Sequence, residues 1–257
     1  MMQPALPLRD RAVVLSGIIL MAAIAWAYMW ILARDSMSMC TVNTNPWGAA
    51  DLLSTFLMWA VMMVAMMLPS ASPMILAFAG VNRARRAKSL SYVGTAVFVL
   101  GYVAVWSAFS AAATAAQAAL HSAALLSPMT SGSSRAIGGA LLLAAGIFQW
   151  TPWKNACLHH CRTPLGFILT EWRDGSRGAF QMGWKHGFYC VGCCWLLMAL
   201  LFVVGVMNLW WVAGIAAFVL VEKTIPAGPL IARAAGALLV ACGLWMVFPR
   251  LFGNLFG

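Results

Sequence analysis

Charged side chains are scarce in this sequence. Only 9% of its 257 residues are charged, six of them carboxylates, and the chain has four histidines, whereas a soluble domain is about 25% charged. So little polar surface cannot cover a water-soluble core of this size, so a soluble globular domain is excluded. The shortage of carboxylates also makes a site for hard ions such as magnesium difficult to assemble.

Familiar enzyme motifs are also absent. The sequence has no glycine-rich phosphate loop with lysine, no Gly-x-Ser-x-Gly nucleophile motif, and neither a Glu-x-x-His nor a His-Glu-x-x-His metal motif. These absences argue against nucleotide hydrolysis, serine hydrolase chemistry and di-iron or zinc protease sites. They leave open whether the protein is an enzyme at all.

Long apolar runs dominate what is present. Hydrophobic residues make up 63% of the chain, with a mean hydropathy of +0.87, and a membrane helix needs about 20 consecutive apolar residues. The pattern predicts an all-α, polytopic transmembrane bundle of about seven spans. These are residues 12–33, 51–79, 90–120, 136–153, 184–206, 209–222 and 231–249. Pro69 and Pro73 are expected to kink or break the second span.

Basic residues predict the orientation. With the N-terminus in the cytoplasm, thirteen Lys and Arg residues lie inside, and only Arg34, Arg135 and Arg250 lie outside. The inside set includes Lys154, in a predicted cytoplasmic loop at 154–185. The net charge of +10 is therefore interpreted as a consequence of membrane topology and of contact with anionic lipid. Because the basic residues are dispersed over short loops, nucleic-acid binding is not expected.

Two adjacent charges end the sixth predicted span. Glu222 and Lys223 are interpreted as a mutually paired couple at the membrane boundary, with Lys223 extending to the cytoplasmic interface. The alternative is that Glu222 faces the bundle interior and takes part in proton or metal coordination.

Three cysteines share one side of a predicted membrane helix. Cys190, Cys193 and Cys194 follow His186 by one turn, and at about 100° per residue the four side chains fall within an arc of about 100°. Thiolate and imidazole are soft or borderline ligands that suit Cu(I) and Zn(II). Because an isolated thiolate is costly in lipid, a bound cation would compensate its charge.

A second cluster lies in the predicted loop. Cys157, His159, His160 and Cys161 come from a segment that, if helical, places its cysteines one turn apart with His160 between them. Both clusters lie near the cytoplasmic ends of neighbouring predicted spans. We therefore predict that they converge on one metal ion or on a pair of ions.

Alternative interpretations exist for the cysteines. A free cysteine commonly packs as a small hydrophobic residue, and Cys242, which is isolated, is expected to do so. Cys190 and Cys193 have the spacing of a thiol redox motif, although no thioredoxin-like strand and helix surround them.

Methionines offer further soft ligands. Met62 and Met66 lie one helical turn apart in the second span, and Met37, Met39 and Cys40 cluster in the first outer loop. Thioethers bind Cu(I) weakly, so these residues are candidates for a metal relay and a metal-collecting site. The alternative for the helical methionines is packing in irregular gaps between helices.

Three segments resemble a bacterial family of predicted metal-binding integral membrane proteins, a family of unknown function. They are Met62–Pro69, Lys154–Arg162 and Lys185–Trp195. The resemblance covers residues from about 50 to 248. It implies five motif positions, namely Cys157, Cys161, Cys190, Cys193 and Cys194.

Together these features predict a protein of the bacterial inner membrane with two parts. Residues 1–50 form an N-terminal helix and outer loop, and residues 51–257 form a six-helix metal-binding domain. The expected metal is copper as Cu(I), with zinc as the alternative. The expected function is copper handling or delivery, with a membrane cuproenzyme, a metallochaperone or a larger membrane complex as partner. Two other functions stay open: a subunit of a membrane oxidase or monooxygenase, and thiol–disulfide electron transfer.

Overall fold

The computed structural model describes residues 7–38, 47–88, 92–123 and 135–248, and this part of the chain is entirely helical. Its helices are α1 (Leu8–Ser38), α2 (Ala49–Ser70), α3 (Ser72–Ala87), α4 (Thr95–Ser122), α5 (Arg135–Phe148), α6 (Pro152–Arg162), α7 (Pro164–Glu171), α8 (Gly175–Ala199), α9 (Leu201–Val204), α10 (Leu209–Thr224) and α11 (Gly228–Val247). The all-α prediction is confirmed for the described residues.

Fewer helices qualify as membrane spans than the sequence suggested. By length and composition, five described segments can cross a membrane, with α8 and α9 counted together, and a sixth is formed if α5 and α6, bent by 65°, count as one span. α10 has 16 residues, which gives a length of about 24 Å against a hydrocarbon core of about 30 Å. The sixth predicted span, 209–222, is therefore too short to cross the membrane alone. The cytoplasmic N-terminus stays a prediction.

The second predicted span is divided by its prolines. Ala71 separates α2 from α3. Pro69 lies in the last turn of α2, and Pro73 lies in the first turn of α3. A proline lacks the amide hydrogen that continues a helix, so the expected break is confirmed.

The segment predicted as a cytoplasmic loop is helical instead. Residues 154–185 contain most of α6, all of α7 and the start of α8. The Thr151 side chain caps α6 by accepting a hydrogen bond from the Lys154 amide at 3.3 Å, and Pro152 and Pro164 open α6 and α7. The segment that carries Cys157 and Cys161 is thus helical, as the predicted spacing of the second cluster requires, and its cytoplasmic position stays a prediction.

Glycines allow α4 and α8 to pack with their backbones in contact. A Cβ on Gly183 would overlap the carbonyl oxygen of Phe98, and one on Gly101 would overlap that of Phe180. Small residues permit such close approach between membrane helices. The approach brings Tyr102 of α4 against the cysteine face of α8, where the candidate site lies.

Candidate metal centre

The three cysteines of α8 face the interior of the bundle. Cys190, Cys193 and Cys194 are each no more than 1% exposed. The thiols of Cys193 and Cys194 donate hydrogen bonds to the Cys190 carbonyl at 3.1 and 2.9 Å. The helical spacing therefore places all three sulfur atoms on one buried surface, away from acyl chains.

A fourth thiol comes from α6. Cys161 is buried, and its side chain lies close to those of Cys190 and Cys193. The structure thus brings one cysteine of the second cluster near those of the first, from α6 and α8, which α7 separates along the chain.

Cys157 lies one turn earlier on α6 and also packs against α8. A Cβ on Gly192 would be 2.8 Å from the Cys157 sulfur, so the missing side chain of Gly192 is what leaves room for that sulfur. Cys157 is only partly buried, which puts it at the edge of the sulfur cluster formed by Cys161, Cys190, Cys193 and Cys194.

Two groups from α2 and α4 complete the surroundings. The Met67 sulfur lies 4.0 Å from the Cys194 sulfur. The Tyr102 hydroxyl lies 3.0 Å from the Cys190 sulfur and donates a hydrogen bond to the Met67 carbonyl at 3.1 Å. Met67 therefore adds a thioether to the buried thiols, and Tyr102 links it to Cys190.

Lys223 reaches the cluster from α10. Its Nζ lies 2.9 Å from the Cys190 sulfur and 3.2 Å from the Ser70 hydroxyl, and the residue is 7% exposed. An ammonium group at this distance stabilises a thiolate by compensating its charge. The prediction that Lys223 extends to the cytoplasmic interface was wrong.

Glu222 pairs with a different lysine. Its Oε1 lies 2.5 Å from Lys154 Nζ, and the two side chains are 0% and 1% exposed. Consecutive residues of a helix point about 100° apart, so Glu222 faces α6 and Lys223 faces the cysteines. The predicted Glu222–Lys223 couple was therefore wrong, and Lys154 is a buried partner of Glu222.

In the described structure, His186 lies beside the sulfur cluster, and one of its two ring nitrogens is not hydrogen-bonded. The residue is 2% exposed, and its ring packs against Phe98, Tyr102 and Phe167, with centroids 5.6–6.1 Å away. Within the described ranges its Nδ1 has no hydrogen-bond partner. A buried nitrogen without a partner is uncommon and is available to a ligand.

The other two candidate histidines are placed differently. His160 stacks on Tyr189 at 4.2 Å between ring centroids, and its Nδ1 is 2.9 Å from the Ala156 carbonyl. His159 is exposed. α6 thus turns its Cys161 side toward α8 and its His159 side away from it.

The methionine candidates are only partly described. Met62 and Met66 are buried in the core of the bundle, on the same helix as Met67. Met39 and Cys40 lie outside the described residues, and the side chain of Met37, at the end of α1, is not described.

The donors around the cluster suit a soft ion. Four thiols and one thioether meet there, and the buried Glu222 is engaged by Lys154. In this structure no three His, Cys, Asp or Glu side chains of the described residues are arranged to hold a metal ion, and the thiols of Cys193 and Cys194 donate to a backbone carbonyl. Sulfur donors prefer Cu(I) over hard cations, so the residues fit copper once these hydrogen bonds are exchanged for metal.

Four residues around the cluster were not predicted from the sequence to lie there: Ser70, Tyr102, Gly192 and Lys223. For one of these residues the sequence did contain an indication of its role. Lys223 is a charged residue in an apolar stretch, and such a residue commonly faces the interior of a bundle and serves a function.

Comparison with known proteins agrees with this chemistry. No curated protein and no solved structure matches the chain significantly. A family model described as PpoB2, copper chaperone, matches residues 56–246. This match takes in well over half of the chain and every residue of the sulfur cluster. The chain therefore belongs to the PpoB2 copper chaperone family, and this membership supports a function in copper handling.

Proposed function

We propose that this protein binds Cu(I) at the sulfur cluster, within the bacterial inner membrane, and delivers it to a copper protein. The observation that carries the proposal is that four buried cysteines from two helices, Cys161 of α6 and Cys190, Cys193 and Cys194 of α8, lie close together in the bundle. Membership of a copper chaperone family supports the same metal.

Binding exchanges protons and hydrogen bonds for metal. A cysteine binds a metal as its thiolate, so loading releases protons. The hydrogen bonds from Cys193 and Cys194 to the Cys190 carbonyl must be given up at the same time. Lys223, 2.9 Å from the Cys190 sulfur, supplies a positive charge that stabilises the thiolate in this buried place.

Delivery requires that the ion can also leave. Met67 lies beside Cys194, and Met66 and Met62 follow on the same helix, all buried. Thioethers bind Cu(I) more weakly than thiolates do, and a row of weak sites suits passage of an ion. We propose this row as the path between the cluster and the opposite end of α2.

Metal analysis of the purified full-length protein tests the proposal. We expect Cu(I), loaded under reducing conditions in detergent, to remain bound after desalting, and to be lost in Cys161→Ser and Cys190→Ser. Cys242→Ser is the matched control, because Cys242 is partly exposed on α11. Copper occupancy that is unchanged in both cluster variants would contradict the proposal.

The two other candidate functions predict different results. Thiol–disulfide electron transfer predicts reversible oxidation of Cys190 and Cys193 in metal-free protein. A subunit of a metalloenzyme predicts that copper stays with this chain, whereas a chaperone passes it to an acceptor. Incubation of the copper-loaded protein with a copper-free acceptor, followed by separation and metal analysis, distinguishes these outcomes.

A further inference from the structure

Lys223 places an ammonium group next to the sulfur cluster. Its Nζ is within hydrogen-bond distance of the Cys190 sulfur at 2.9 Å and the Ser70 hydroxyl at 3.2 Å. A buried lysine is rare unless its charge is compensated, because removing an ammonium from water costs several kcal/mol. The buried ammonium of Lys223 therefore needs a negative charge close to it.

The neighbouring Glu222 carboxylate does not supply this negative charge. Glu222 pairs with Lys154 at 2.5 Å, so those two charges cancel. In the described structure the buried charged residues other than histidine are two lysines and one glutamate, which leaves one net positive charge, that of Lys223. The compensating anion must therefore come from sulfur.

We propose that Lys223 is a positioning residue that matches the charge of the copper complex and so selects a monovalent soft cation. This inference rests on the proposed function. Cu(I) held by two thiolates carries one net negative charge, which the ammonium of Lys223 balances. A divalent ion held by the same two thiolates is neutral and leaves the ammonium uncompensated in a buried place. Without metal, a single thiolate at Cys190 balances the same charge.

Substitution of Lys223 separates charge matching from a structural role. In Lys223→Leu, which removes the charge without adding a sulfur ligand, we expect affinity for Cu(I), and for its monovalent mimic Ag(I), to fall about 100-fold, because a buried charge loses its partner. Affinity for Cd(II) should stay the same or rise. Lys223→Arg, which keeps the charge, should retain Cu(I) within about tenfold.

The measurements are competition with a chromophoric Cu(I) chelator, and metal analysis after equilibration with Ag(I) or Cd(II). The matched control is Lys185→Leu, which removes a lysine of α8 that is 45% exposed and paired with Glu171 and should leave all three affinities unchanged. Unchanged Cu(I) affinity in Lys223→Leu, or equal losses for Ag(I) and Cd(II), would overturn the inference.

The native protein gives an independent test if Lys223→Leu does not fold. Charge matching then requires that native protein bind Ag(I) more tightly than Cd(II), and comparable affinities would overturn it. Failure of the native protein to bind Cu(I) would refute the proposed function itself. Native binding of Cu(I) that does not depend on Lys223 would refute only the role of this residue.

Discussion

Replacing Glu222 by Gln should destabilise the bundle by about 3–5 kcal/mol. The Glu222 and Lys154 side chains are 0% and 1% exposed and lie 2.5 Å apart, so water cannot replace the lost partner. In Glu222→Gln the Lys154 ammonium keeps the Gln149 amide oxygen as acceptor but loses its counter-charge. This magnitude is the free-energy cost of leaving an uncompensated charge in the interior. It is larger than the net stabilisation that the ion pair itself provides.

A double-mutant cycle measures this coupling. The full-length protein in mixed micelles is titrated with a denaturing detergent, and circular dichroism gives its free energy of unfolding. This free energy is compared for Glu222→Gln, Lys154→Met and the double variant. We expect the double variant to be more stable than the sum of the single changes implies, by about 2–3 kcal/mol. The same cycle on Glu171 and Lys185, whose side chains are 23% and 45% exposed, should give a coupling below about 1 kcal/mol.

Two results would refute this reasoning. One is a Glu222→Gln variant within about 1 kcal/mol of the native stability, and the other is strict additivity in the double variant. Because α6 carries Cys161 and is joined to α10 by this pair, we also expect Cu(I) occupancy to fall in the single variants. Partial recovery in the double variant would show that the pair acts by placing α6.

Three further predictions concern packing around the cluster. Gly183→Ala should destabilise the protein by about 1–3 kcal/mol or more, since its Cβ would overlap the Phe98 carbonyl oxygen, and detergent unfolding would show this; an unchanged midpoint would contradict the close approach of α4 and α8. Met67→Leu, a swap of similar volume, should weaken Cu(I) binding with a loss of stability below about 1.5 kcal/mol, because only the thioether beside Cys194 is removed; chelator competition would detect it, and equal affinity would exclude Met67 from the site. Gly192→Ala places a Cβ 2.8 Å from a cysteine sulfur of α6, so the reaction of that cysteine with a maleimide should become faster as the sulfur is displaced; an unchanged rate would show that the contact is absent.

Several features could be predicted because they depend on local geometry. The apolar content indicates membrane helices, and the spacing of Cys190, Cys193 and Cys194 places them on one face of whichever helix carries them. The break between Pro69 and Pro73 also follows from the chemistry of proline alone. Each of these properties involves residues within one or two helical turns.

The errors arose where a side chain's partner lies on another helix. Glu222 and Lys223 were expected to pair because they are adjacent, yet each meets a residue from a different helix. The polar residues of α6 conceal a buried face that carries Lys154 and Cys161. Sequence adjacency does not report burial or long-range pairing.

The sequence by itself determined that this is an apolar helical protein with soft ligands grouped on two short segments. Only the tertiary structure decided that Cys161 meets Cys190, that Met67 adjoins Cys194, and that Lys223 faces them. The physical reason is that helical periodicity fixes which residues share a face, whereas packing between helices, set by close contacts such as that of Gly183 with Phe98, fixes which faces meet.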